Sequence, residues 1–371
     1  MAERTALHRR HLALGGHMVE FGGWELPQQY GSVRDEHLAV RQRAGLFDLS
    51  HMGRLEVRGP RAGDYLQRLL TNDVTRLEPG HAQYTLLCRE DGGILDDLVV
   101  YRVGEDDFKV VVNASNRLKD LAWMHDHAPP GIELRDRTGE VSLLALQGPR
   151  AGDVLRVLDF DIDALTHFGF TEERALAGVP VLISRTGYTG EDGVEVFVSA
   201  ERADQVWDGI LAAGRGLGVT PCGLGARDAC RLEAALRLYG HDIDESTNAY
   251  EVGLGWVVKL GKGEFVGRDA LTVVKEAGPR RETIGLNCDG RAIPRHGCPV
   301  HVDGRRIGAV SSGTFSLWLK RGIAMAMVER GAVVPGEAVS VEVRGAPQPA
   351  HATPLPFYRG SVRPAPAAKG A

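Results

Sequence analysis

One six-residue phrase occurs twice in this chain, as Gly59-Pro60-Arg61-Ala62-Gly63-Asp64 and as Gly148-Pro149-Arg150-Ala151-Gly152-Asp153. Each copy follows an alternating run, "GRLEVR" or "VSLLALQ", and each leads into a helical pattern, "YLQRLL" or "VLRVL". Alternation with period two marks a strand, and apolar residues three and four apart mark a helix. Strand, identical turn and helix recurring along one chain point to two related α+β lobes, each built on the same unit.

The remaining pattern fits that frame. Residues 6–20 read as a helix, and "VRDEHLAVRQRAG" reads as a second helix that ends on Gly45 as its C-cap. "LFDLSHMGRLEVRG" alternates as one strand up to Gly59-Pro60. A meander over 83–89, 94–103 and 108–113 follows, and then a helix capped by Ser115 or Asn116. Strands and helices in mixed order predict an α+β fold. From about residue 280 onward short strands dominate ("RRETIGLNC", "RRIGAVSSGTF", "GIAMAMVE", "AVSVEVRG"), which predicts a small β-barrel or sandwich. The expected division is 1–275 for the two lobes and 280–362 for the β domain. The Pro/Ala-rich tail 363–371 is expected to be disordered.

At 371 residues, 43% hydrophobic and 25% charged, the chain is long enough for two or three ordinary enzyme domains. A formal charge of −5 argues against nucleic acid as the main partner, because such binding rests on phosphate neutralisation. No apolar run approaches the roughly 18 residues of a membrane span. The N-terminal stretch has no signal-peptide apolar block, so a cytoplasmic location is the expectation. The five cysteines, Cys88, Cys222, Cys230, Cys288 and Cys298, form no CxxC and no ligand spacing with His. Reduced thiols and no metal site are expected.

Chemistry concentrates in a few places. In the strand Ile94-Leu95-Asp96-Asp97-Leu98-Val99-Val100-Tyr101, period two sends the adjacent carboxylates to opposite faces. Asp96 then lies with Ile94, Leu98 and Val100, while Asp97 lies with Leu95, Val99 and Tyr101. Whichever face is core, a carboxylate there has to be paired, hydrogen-bonded or protonated. On the strand alone an edge position, with one Asp solvated and one satisfied locally, is the simpler account. "RTGYTGEDGVEVFV" is a Gly-rich turn opening a strand that carries Glu195, whose carboxylate could accept from a planar donor pair such as an aminopyrimidinone. Arg227 stands in the first turn of "LGARDACRLEAAL", poorly placed for the helix dipole unless an acidic group or ligand offsets it. "GRGLG" and "GLGARD" match no nucleotide loop, His125 and His127 share no helix face, and "HDIDES" (241–246) reads as a solvated turn rather than a calcium loop.

Taken together, "FGGWELPQQYGSVRDEHLAVRQRAGLFDLSHMGRLEVRG", "GGILDDLVVYRV", "VVNASNRLKDL", "LALQGP", "RTGYTGEDGVEV", "PCGLGARDACRLEAALRLYGHDID" and "GLGW" resemble the aminomethyltransferase (T-protein) family of the glycine cleavage system. The matching stretches run in family order from Thr5 to about Phe357. The resemblance implies a three-domain cloverleaf, in which two interleaved α+β lobes and a C-terminal β-barrel surround a tetrahydrofolate pocket. With only four residues before the match, it also implies no organelle presequence and a prokaryotic cytoplasmic enzyme.

The activity so implied starts from an aminomethyl group on the lipoyl arm of H-protein, releases ammonia and passes the one-carbon unit to tetrahydrofolate as methylenetetrahydrofolate. Neither metal nor flavin is implied. By match to the family motif Asp96 is the catalytic carboxylate facing the folate nitrogens, and Asp97 is structural. Glu195 and Arg227 read the pterin, Tyr188, Tyr84, Asn113 and Met52 line its cleft, and Arg359 is a C-terminal folate contact. A stand-alone folate-dependent demethylase of the same fold would share this half of the site. A folate-binding accessory protein would carry a Lys-Gly-Cys-Tyr-x-Gly motif, where this chain reads "LYGHDIDEST". Departures from the family pattern fall at Thr247-Asn248-Ala249 and at Leu317-Trp318.

Overall fold

A computed structural model describes residues 2–290 and 292–362, so the expected disordered tail lies outside the described residues. Two sheets stack face to face, each with helices on its outer side. The five-stranded sheet runs in the order 81–88, 94–102, 107–112, 53–58, 133–136. The six-stranded sheet runs 170–176, 179–184, 193–199, 141–147, 44–48, 219–221. A closed barrel of six strands, from Arg281–Cys288 to Ala346–Thr353, completes the fold, so the α+β architecture with a C-terminal barrel is found.

The repeated phrase sits at the same station in both sheets. Strand Gly53–Arg58 leads through it to helix Ala62–Leu69, and strand Val141–Gln147 leads through it to helix Ala151–Val157. Both first glycines take a left-handed conformation, with φ 125° at Gly59 and 140° at Gly148. A Cβ would lie 2.1 Å from the Gly131 carbonyl oxygen in one copy and 2.5 Å from the Arg43 carbonyl oxygen in the other. Only glycine meets both demands. The turn closes alike in each, Ala62 N–H donating to Gly59 and Ala151 N–H to Gly148.

Three apolar layers result. Leu66, Leu69, Leu98, Val100 and Phe108 fill the core between the five-stranded sheet and its helices. Leu144, Val154, Val194, Val196 and Trp207 do the same for the six-stranded sheet. Phe47, Tyr101, Val111, Leu182 and Phe197 form the layer between the sheets.

Several local expectations are corrected. The helix read over 6–20 covers only His8–Ala13, because Gly15 turns the chain at φ 78° into the antiparallel pair His17–Phe21 and Trp24–Gln29. Helix Val33–Gln42 is capped by Ser32, which accepts from Asp35 N–H at 3.1 Å, but Gly45 is not its C-cap. Gly45 lies inside strand Ala44–Asp48, where a Cβ would meet Val40 and Cys222. The run read as one strand over 46–59 is two strands in two different sheets, and the chain crosses between lobes at 49–52. That crossing interleaves the lobes. "HDIDES" is not a solvated turn throughout, since Asp242 is buried against Arg231 at 2.6 Å and Ser311 at 2.5 Å.

Helix Leu224–Glu233 holds the barrel to the lobes. Arg231 donates to Ser312, and Glu233 accepts from Ser316, His37 and Arg41, all of them buried. Removing one partner from such a network would strand another charge in the interior. The departing residues are accommodated: Ala249 is buried in a small core with Ile243 and Leu254, and Trp318 packs edge-on to Tyr358. After the barrel, Ser361 hydrogen-bonds Glu191 and Asp192, which lays the C-terminal segment over the 185–193 turn.

Candidate active site

The two carboxylates of the 94–102 strand do separate to opposite faces, but the face that opens is the other one. Leu98 and Val100 point to the helix-side core, and Asp96 points with them. Val99 and Tyr101 point to the layer between the sheets, and Asp97 points with those. Asp96 is 0% exposed and accepts from the Asn113 backbone N–H at 2.9 Å, the Asn113 side-chain amide at 2.8 Å and the Asn116 amide at 2.6 Å. The expectation that Asp96 faces the cleft is therefore corrected. It is enclosed on its own lobe's helix side, where the sheet packs against helix Arg117–Asp126.

Asp97 is half-buried. The Tyr84 hydroxyl donates to its Oδ2 at 2.8 Å, and the Asn113 amide donates to its Oδ1 at 2.8 Å. Burial, reinforced by the Asp96 charge beside it, pushes the Asp97 carboxyl up to about 7. Such a group exchanges its proton near neutral pH. Tyr84 stacks on Trp256 at 5.9 Å between ring centroids, and Trp256 is 58% exposed, so this aromatic pair leads from the surface to Asp97.

A second cluster faces the same inter-sheet space. On strand Gly193–Ser199, Val194, Val196 and Val198 point to the helix side, which leaves Glu195 on the inner face with Phe197. Glu195 accepts from the Thr186 hydroxyl at 2.5 Å and the Tyr101 hydroxyl at 3.5 Å. Burial raises its proton affinity, while Thr186 and the nearby Arg227 oppose the rise. Arg227 lies with its guanidinium 4.5 Å over the Tyr188 ring and makes no ion pair among the described residues. Burial pulls Arg227 below its ordinary range, and Tyr188 and Glu195 partly restore it. Tyr188 in turn feels the charges of both Arg227 and Asp97, and its hydroxyl donates to the Arg237 carbonyl.

The structure thus places Tyr84 and Asn113 on Asp97 and Glu195 beside Arg227, with Tyr188 near both Asp97 and Arg227. Met52 packs against the same inter-sheet layer. Arg359 is exposed and makes no hydrogen bond among the described residues, although its neighbour Gly360 sits so close to Gly190 that a Cβ would lie 2.2 Å from that carbonyl oxygen. Sequence reasoning missed Thr186 and Tyr101, which hold Glu195, and Trp256, which stacks on Tyr84. Tyr101 was legible in principle, since it shares a strand face with Asp97.

Among the described residues no group of three or more His, Cys, Asp or Glu side chains is placed to hold a metal ion, and no helix is long and apolar enough to cross a membrane. All five cysteines are free thiols, and all but Cys298 are buried.

Known proteins match this chain over nearly its whole length. The family model for the GCVT N-terminal domain matches residues 7–262, and that for the glycine cleavage T-protein C-terminal barrel domain matches 281–359. An aminomethyltransferase of Geobacillus kaustophilus is 49% identical over 361 residues, covering 97% of this chain and 99% of that protein. One of Bacillus subtilis is 44% identical, covering 97% and 100%. The crystal structure of glycine cleavage system aminomethyltransferase T from Bartonella henselae superposes with a TM-score of 0.92 at 34% identity, over 97% of this chain and 99% of that one. With both its N-terminal region and its C-terminal barrel matched by the family's models, the chain belongs to the glycine cleavage T-protein family of aminomethyltransferases.

Proposed function

We propose that the inter-sheet cleft binds tetrahydrofolate, and that the enzyme transfers to it the one-carbon unit of an aminomethyl group borne on the lipoyl arm of H-protein, releasing ammonia. The observation that carries this reading is the relation of Glu195 to Arg227. They are near enough for each to shift the other's proton affinity, yet they form no ion pair. Thr186 and Tyr101 both donate to Glu195 Oε2, so a half-buried carboxylate with its Oε1 still to be used, beside a half-buried guanidinium, invites a planar ligand that offers both donors and an acceptor. The pterin's aminopyrimidinone is such a ligand: Glu195 would accept from its amino and ring N–H groups, and Arg227 would donate to its carbonyl. Tyr188, Tyr84, Asn113 and Met52 would line the cleft, with Arg359 at its C-terminal edge.

The transfer moves two protons. The carbon gains bonds to two folate nitrogens, each of which loses its hydrogen. It loses its bonds to sulfur and to the amine, each of which gains one. Asp97, not Asp96, is the carboxyl placed to take a proton from a folate nitrogen and return it to a leaving group. A proton affinity close to the working pH suits both halves of that task. The carbon's oxidation level does not change, so no flavin is called for.

Purified enzyme supplied with aminomethyl-loaded lipoylated H-protein and tetrahydrofolate should release ammonia only when both are present. No ammonia with both substrates intact would overturn the reading.

A further inference from the structure

Behind Asp97 lies a second carboxyl pair that the reaction does not touch. Asp96 and Asp120 are each 0% exposed. Asp120 stands in the first turn of helix Arg117–Asp126, and the turn 113–116 that precedes this helix supplies the N–H groups that Asp96 accepts. Counted as an acceptor, Asp120 has no hydrogen-bond partner for either oxygen. Its backbone N–H bonds the Asn116 carbonyl one turn back, and the Asn116 amide donates to Asp96, so the two buried carboxyls adjoin across one helix face, where the Asp96 charge raises the proton affinity of Asp120. Two carboxylates so placed repel unless one of them keeps a proton.

Which one keeps it follows from the donors. Asp96 accepts three N–H bonds, each favouring its charged form, and Asp120 accepts none. The proton therefore resides on Asp120. Burial and the Asp96 charge together hold Asp120 far above the usual carboxylate range. The Asn113 side-chain amide joins the two layers, donating at 2.8 Å to Asp96 and at 2.8 Å to Asp97.

We propose that Asp96 and Asp120 are a positioning pair for Asp97: they share one proton, keep one negative charge behind the site, and orient the Asn113 amide that Asp97 uses. This rests on Asp97 being the proton-transfer group. Its other polar and charged surroundings are the Tyr84 hydroxyl from strand His81–Cys88 and Tyr188 from the 185–193 turn, with Arg237 beyond both. Burial raises the proton affinity of Asp97 most, and the Asp96 charge adds to it, while Tyr84 and Asn113 oppose the rise. Asp97 thereby reaches a range in which it can both take and give a proton.

Two measurements test the pair. Infrared spectra of the folded wild-type enzyme at about pH 9, where ordinary carboxylates and Asp97 are ionised, should show one protonated carboxyl band that vanishes in Asp120→Asn. Absence of that band in the wild type overturns the proposal, and this test needs no active variant. The pH profile of kcat/KM for ammonia release supplies the second. The double variant Asp96→Asn/Asp120→Asn removes the charge but keeps the shape, and its acid limb should move down by about one pH unit. A loss of melting temperature with the limb in place would reduce the pair to a structural role and overturn the proposal. Asp97→Asn separates the two readings: full turnover with the wild-type acid limb would sink Asp97 as the proton carrier, even if the infrared band were present.

Discussion

The Tyr84 hydroxyl donates to Asp97 at 2.8 Å while the Tyr84 ring stacks on Trp256, so the exposed aromatic pair is tied to this carboxylate by a hydrogen bond. A donor to the charged form lowers a carboxyl's proton affinity. Tyr84→Phe should therefore raise that of Asp97 and move the acid limb of kcat/KM to higher pH, opposite to the shift expected from the Asp96/Asp120 double variant. An unmoved or lowered limb in Tyr84→Phe would show that this bond does not set the titration.

Asp97→Asn should keep the fold and most of the folate affinity while kcat falls by about 10²-fold or more, the scale of a positioned acid–base group. Stopped-flow or coupled assay of ammonia, set beside calorimetric folate binding, separates the two effects. Turnover lost in Asp96→Asn but spared in Asp97→Asn would mean the wrong carboxylate has been chosen.

The same residue should cost stability. Its folded proton affinity, near 7, lies above the ordinary carboxylate value, so the folded state binds more protons than the unfolded one between about pH 4 and pH 7. The Asp97 contribution is then full below about pH 4 and is lost as pH rises through 7. Asp97→Asn should be more stable than wild type at about pH 8, by on the order of a few kcal/mol, and so melt higher there, with the gain vanishing toward pH 4. Paired thermal melts across that range check the sign, and equal melting points at both ends would contradict it.

Glu195→Gln keeps the shape but places a donor where the pterin also donates. Folate affinity should drop by about 1.5–3 kcal/mol, the worth of a hydrogen bond to a charged group. Thr186→Val, which removes the 2.5 Å support of that carboxylate, should give a smaller loss in the same direction. Calorimetry showing unchanged affinity in Glu195→Gln would leave Glu195 as an ordinary strand residue.

Exhaustive chelation should leave ammonia release intact, and the purified enzyme should show no flavin absorbance, because the transferred carbon keeps its oxidation level. Burial pushes the Cys88 and Cys230 thiols up to about 12, too high for thiolate chemistry at neutral pH. Conservative Cys→Ala changes that preserve folding should be silent in turnover. Activity lost on chelation and restored by one metal would show that a component of the site is missing from this account.

What the sequence determined by itself was local and periodic. The doubled Gly-Pro-Arg-Ala-Gly-Asp turn announces two lobes because its first glycine is needed twice at a positive φ. Period two separates Asp96 from Asp97, and groups Asp97 with Tyr101, because alternation follows from the pleat of a single strand. Tertiary structure alone decided which of those faces is the cleft. Both faces of the 94–102 strand carry apolar residues, and only the stacking of the second sheet makes the Val99–Tyr101 side the one that Glu195 also enters. The crossing at 49–52 was hidden because no proline or glycine pair breaks the run between residues that pair with different sheets. Asp242 and Asp120 were illegible too, since the groups they meet, Ser311 from the barrel and Asp96 from the 94–102 strand, lie on other elements of the chain. Short-range geometry is written in the order of residues, whereas the partner that turns a carboxylate into a site is supplied by whatever packs across from it.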